Sequence, residues 1–180
     1  GPDGYRALSA AIAEAHLATG SKGLASYRLE FLAEAAAGNW LVLTGCRKGA
    51  VRAALERPGP GSTRRFDLAA ARIELDRLTA AFGADNVAVE ITDTGDPWDS
   101  ERADALATLA ADARLPLVAT GGVHHASPAE ADLAAALAAV RARTSLDRID
   151  GWLPGGTGAH LRSAAEMAER HRRHPQAVPT

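Results

Sequence analysis

Residues 115–132 read LPLVATGGVHHASPAEAD, and the order of residue types in this stretch decides the fold. Leu115 to Thr120 is a short apolar run with the length of a buried strand. Gly121-Gly122 breaks it, and Ser127-Pro128 opens a helix with an N-cap residue and a proline at the first helical position, expected to run to about Arg143. The same order occurs twice upstream. Trp40 to Thr44 reads as a strand that ends at Gly45-Cys46, with a short helix from Arg47 to Glu56 after it. Val87 to Ile91 reads as a strand that ends at Thr92-Asp93-Thr94-Gly95, with a helix from about Asp99 to Ala113 after it. Three strand-then-helix units without a sequence repeat predict βα units on a parallel sheet. Three strands are too few for a closed eight-stranded barrel, which takes about 250 residues. The chain is therefore an open α/β sheet or part of a barrel.

Further helices flank these units. Tyr5 to Leu17 places Leu8, Ile12, Ala15 and His16 at helical spacing. A helix from about Tyr27 to Ala37 closes on Gly38-Asn39, a C-cap signal. Asp67 is a plausible N-cap for a helix to about Phe82, with Leu68, Ile73, Leu75 and Leu78 as its apolar positions. Ser163 caps a last helix to about Arg172. Pro58 to Ser62 is a loop, and the glycine-rich stretch from Gly151 to Gly158 reads as a flexible one.

The 180 residues fit one domain, and 47% hydrophobic residues are enough for a core. Twenty Lys+Arg against 22 Asp+Glu give a formal charge of −2, so no global positive field draws the chain to nucleic acid or to a membrane. Any DNA contact has to come from a local patch or from chain outside this sequence. A single cysteine cannot form an internal disulfide, which fits a reducing compartment and predicts a cytoplasmic protein. No membrane span or signal peptide is visible. The first residue is Gly rather than Met, which fits a fragment or a processed product.

In parallel α/β folds functional groups gather where strands end, because those loops open on one face. The three strand ends carry Cys46, Asp93 and His124. Cys46 alone ordinarily packs as an inert small hydrophobe, although Arg47 and Lys48 beside it favour a thiolate. His124 is a candidate metal ligand or a hydrogen-bonded loop histidine. His125 points the other way along an extended chain, so at most one of the pair faces a site. Asp93 and Asp96 could bind a cation together or make Asx turns, the commoner role in a TDTGDP loop. Gly45-Cys46-Arg47-Lys48-Gly49 lacks the spacing of a phosphate-binding P-loop. The basic residues Arg170 to Arg173 read as a solvated helix end.

Taken in order, LVLTGCRKGAV at 41–51, VEITDTGDP at 89–97, LPLVATGGVHHASPAEAD at 115–132 and HLRSAAEM at 160–167 resemble the second part of the PHP domain of bacterial C-family DNA polymerases. The Gly4-Tyr5 helix opens the match. GCRKGAV and residues 140–163 are more similar to the error-prone polymerase than to the replicative subunit. The resemblance implies an α/β fold, a partial (β/α)7 PHP barrel of distorted TIM type, with parallel strands and crossover helices, of which residues 1–180 are the C-terminal part. It also implies that the first barrel strands and the polymerase module lie outside the chain. It matches Cys46 and His124 to two metal-ligand positions, in a site for divalent metal in the complete domain. Gly122 stands where the family has Asp, and Thr94 where it often has His, so the implied site is degenerate. The implied function is DNA-directed DNA synthesis across lesions, with this segment as scaffold and not itself catalytic. DNA would be bound through the polymerase module, and a sliding clamp and mutasome proteins are implied partners, with no membrane. The alternatives are a self-standing PHP phosphoesterase and a non-enzymatic interaction module.

Overall fold

The computed structural model describes residues 1–21, 23–57, 66–149, 152 and 156–178. The loop at 58–62, and all of the 151–158 stretch but 152 and 156–158, lie outside the described residues. Three parallel strands form the sheet in the order β1 (Val42–Leu43), β2 (Val87–Thr92), β3 (Leu117–Thr120). Between β1 and β2 the chain crosses through α3 (Ala50–Leu55) and α4 (Leu68–Phe82), and between β2 and β3 through α5 (Asp99–Ala113). The α/β class with parallel strands and crossover helices therefore holds, and the described strands make an open sheet. Helices α1 (Pro2–Leu17) and α2 (Leu29–Ala36) precede it; α6 (Ala131–Ala142) and α7 (Ala164–Arg170) follow.

β2 is the centre of the molecule. Val87, Val89 and Ile91 are fully buried, because a strand paired on both sides and covered by helices has no solvent face. Val51 and Leu55 of α3, Leu75 of α4 and Leu106 and Leu109 of α5 close the core around it. Burying one such side chain contributes roughly 1.5–3 kcal/mol. The helical periodicity was informative for α4 only in part: Leu75 is buried and Leu78 packs against the core, whereas Ile73 is exposed and Leu68 half exposed, and Ala71 takes a further core position. Likewise α1 faces inward with Gly4, Ala11 and Ala15, leaving Leu8 and Ile12 half exposed.

Several boundaries are shorter than the sequence pattern suggests, each for a local reason. β1 pairs only at Val42 and Leu43; the Thr44 hydroxyl, rather than a backbone carbonyl, accepts from the Glu90 N–H at 2.9 Å. Trp40 is instead fastened to α1, its Nε1 donating to the Gly4 carbonyl at 2.8 Å. The helix expected from Arg47 starts at Ala50, because residues 45–49 form a tight turn. Gly45 has φ +83, and a Cβ at Gly49 would overlap the Thr44 carbonyl oxygen. Asp67 caps α4 as expected, accepting from the Ala70 N–H at 3.0 Å. Ser127 and Pro128 open a 3₁₀ turn, Pro128–Glu130, before α6 begins. Ser163 caps α7 in a capping box with Glu166.

Candidate functional site

The turns after β1 and β3 open at the same end of the sheet, where a cleft of about 460 Å³ is lined by Cys46, Arg52, Glu90, Thr94, Gly122 and His124, among others. Two of the three strand-end residues singled out from the sequence, Cys46 and His124, are thus brought together, with Gly122 beside them. Cys46 is exposed rather than buried, because the Gly45 turn carries it off the sheet. His124 and His125 do not alternate as an extended chain would, since both line a neighbouring pocket beside α6. Both backbone N–H groups donate to the Ala159 carbonyl, while the His125 Nδ1 lies 2.8 Å from the Ser127 carbonyl and its ring stands 6.0 Å from that of His160.

Asp93, the third strand-end residue, does not line the cleft. Its Oδ1 accepts from the Gly95 N–H at 3.0 Å and pairs with Arg170 Nη1 at 2.7 Å. Asp96 Oδ1 accepts from the Trp98 N–H at 2.8 Å. These are Asx turns, so the aspartates shape the loop and do not form a cation-binding pair. The basic residues at 170–174 are correspondingly more than a solvated helix end. Arg170 holds Asp93, Arg173 and His174 hold Asp104 of α5, and His171 is buried between them. Burial, above all, lowers the His171 pKa from its ordinary value of 6.5, with Asp93 opposing the shift.

Other groups that build the site carry no motif. Arg102 of α5 is almost fully buried and reaches Glu56, Asp99 and Asp96 at once. Asp99 Oδ2 in turn accepts from the Thr94 and Asp96 N–H groups at 2.8 and 2.9 Å, which fixes the loop after β2. Arg52 joins the same cluster, donating to Glu56 at 2.8 Å and to the Thr92 hydroxyl at 3.3 Å. Glu90, the lone acid in an apolar strand, accepts from the Thr120 hydroxyl across the sheet. The described glycines of the 151–158 stretch pack tightly rather than flex: a Cβ at Gly156 or Gly158 would overlap the Thr94 carbonyl, and the Gly158 N–H donates to that oxygen at 2.8 Å.

The described residues do not by themselves make up a metal site. Among the described residues no three His, Cys, Asp or Glu side chains converge in ligand geometry, whereas a stable site takes three or four protein ligands. Cys46 and His124 are two donors in one cleft, Glu90 is engaged by Thr120, and Gly122 offers none. A Cβ at Gly122 would sit in ordinary contact, 3.5 Å from the Thr94 methyl, so the missing carboxylate is not excluded by crowding. The backbone there has φ +53, which Asp tolerates better than most residues.

Fold and site together define a parallel α/β unit with an open cleft at the carboxyl ends of its strands, lined by two metal-type donors. Comparison with known proteins places the chain further. It is 51% identical over 178 residues to the error-prone DNA polymerase of Mycolicibacterium paratuberculosis, 50% over 179 residues to that of Cutibacterium acnes, and 49% over 178 residues to that of Mycobacterium tuberculosis. Each match covers 99% of this chain and 15–16% of the relative. The chain is homologous over nearly its whole length to a segment of the error-prone DNA polymerases. No family model matches it. Among the described residues no helix is long and apolar enough to cross a membrane.

Proposed function

We propose that this chain is the C-terminal part of the PHP domain of an error-prone DNA polymerase, a scaffold beside the polymerase module whose metal site is degenerate. The observation that carries this reading is the 49–51% identity with error-prone polymerases across 99% of the chain. The side chains support a non-catalytic role. Two-metal nucleotidyl transfer needs paired carboxylates free to hold cations, and here Asp93, Asp96 and Asp99 are committed to loop N–H groups and arginines. Nucleotide addition opposite damaged template is then the work of residues elsewhere in the full-length cytoplasmic enzyme. DNA reaches it through the polymerase module, and clamp or mutasome contacts are made by the whole assembly. A self-standing phosphoesterase would need further ligands beside Cys46 and His124 from outside this chain.

Primer extension tests the proposal. The full-length enzyme carrying Cys46→Ser and His124→Ala should extend primers at the wild-type rate, and the 180-residue chain alone should extend none. Template-dependent incorporation by the chain alone, or loss of extension in the double variant with the fold intact, would overturn it.

A further inference from the structure

Beside the cleft, and sharing Cys46, Arg47 and His124 with it, runs a second groove of about 310 Å³. Arg47 and Lys48 approach from the turn after β1, Arg141 from the end of α6, and Trp152 from further along the chain, over a floor that includes Ala134 and Ala138 of α6. No carboxylate lines this groove among the described residues. Arg47, Lys48 and Arg141 also have no carboxylate partner among the described residues. In the two adjoining cavities the acids are Glu90, held by Thr120, and Asp132. Three cations with no carboxylate partner among the described residues therefore meet on one strip of a chain whose formal charge is −2. Trp152 is 44% exposed. Lys48 Nζ lies 5.4 Å from its ring centroid, within the range of a cation–π contact that orients the ring.

We propose that Arg47, Lys48, Arg141 and Trp152 form a binding groove for single-stranded nucleic acid. The cations take successive phosphates and the indole takes an unpaired base. Cations tracking a backbone beside an aromatic ring make up the ordinary chemistry of single-strand binding, and stacking requires a base whose face is free. In a duplex both faces of each base are covered by its neighbours. An acidic protein segment would satisfy the cations but offer no ring to stack on the exposed part of Trp152 beside Lys48. The preference for nucleic acid also rests on the polymerase reading above.

The test is fluorescence anisotropy of a labelled oligothymidylate titrated with the full 180-residue chain over a range of salt concentrations. The triple variant Arg47→Ala/Lys48→Ala/Arg141→Ala should weaken binding at least tenfold. It should also flatten the slope of log affinity against log salt by about 2, the sum of about 0.7 for each of three phosphates on a single strand. Trp152→Ala should weaken binding by about fivefold or more with the slope unchanged, since a base–aromatic stack is worth about 1–3 kcal/mol, and Trp152→Phe should retain most of the affinity. Arg172→Ala, on the exposed side of the C-terminal turn and paired with Glu169, is the control and should bind as wild type. Circular dichroism verifies the fold of each variant. Wild-type affinity in the triple and Trp152 variants, equal competition by duplex, or stronger competition by poly-glutamate would each overturn the groove. None of those results touches the polymerase assignment, which stands or falls on primer extension.

Discussion

Arg102→Met removes one buried charge and leaves its acidic partners in place. The Arg102 side chain is 8% exposed, Asp99 is 4% exposed and Glu56 29%. Breaking a buried pair by deleting one member costs about 3–5 kcal/mol, because the remaining charge is left without compensation. Two features place this case at the lower end. Asp99 keeps the Thr94 and Asp96 N–H groups on Oδ2, and Glu56 keeps Arg52. The expected loss is thus about 3 kcal/mol, which for a domain of this size lowers Tm by about 6–12 °C. The loop from Thr94 to Asp96, whose Thr94 lines the cleft, loses only the Arg102–Asp96 contact and should stay seated on Asp99. Urea unfolding of the chain followed by circular dichroism reads the change as a lower midpoint at constant slope. A loss below about 1 kcal/mol would refute the view that Arg102 compensates a buried charge in this cluster.

Gly158→Ala should destabilise the chain by about 1–3 kcal/mol, since the added methyl overlaps the Thr94 carbonyl and the backbone must shift; an unchanged melting temperature would mean that the 156–158 segment is not seated against that loop. Stability should also depend on pH through His171. Its folded-state pKa lies below its ordinary 6.5, so the unfolded chain binds protons first. The His171 contribution is therefore fully present above about pH 6.5 and is lost as pH falls through the folded value. His160, whose pKa is lowered by burial and then by Arg162 and His125, acts in the same direction. Urea midpoints between pH 7 and pH 5 should fall for the wild type and fall less for His171→Leu; parallel curves would contradict the burial argument.

Much of the architecture was legible because it is written locally. A short apolar run, a glycine and a capped helix specify a βα unit wherever they occur; β1 and β3 lie within their expected segments, and β2 runs one residue past its own, to Thr92. The site was legible only where position along a strand determines it, as for Cys46 and His124. Asp93 follows the same rule but turns away, because its partners are Gly95 next to it and Arg170 on α7, 77 residues along the chain. Arg102 gave no signal, since on α5 it is one polar residue among several and its partner Glu56 comes from α3. Gly156 and Gly158 resembled a flexible linker because the carbonyl that demands their missing side chains belongs to Thr94, more than 60 positions away.

The central claim, a PHP scaffold that keeps its cleft and has lost its metal chemistry, is tested most directly by the metal content of the purified full-length protein after dialysis against zinc and manganese, measured by mass spectrometry. The account predicts sub-stoichiometric metal in the wild type, unchanged in Cys46→Ser/His124→Ala, and a gain in Gly122→Asp, where a carboxylate enters beside both donors. Stoichiometric metal in the wild type that disappears in Cys46→Ser/His124→Ala would contradict it.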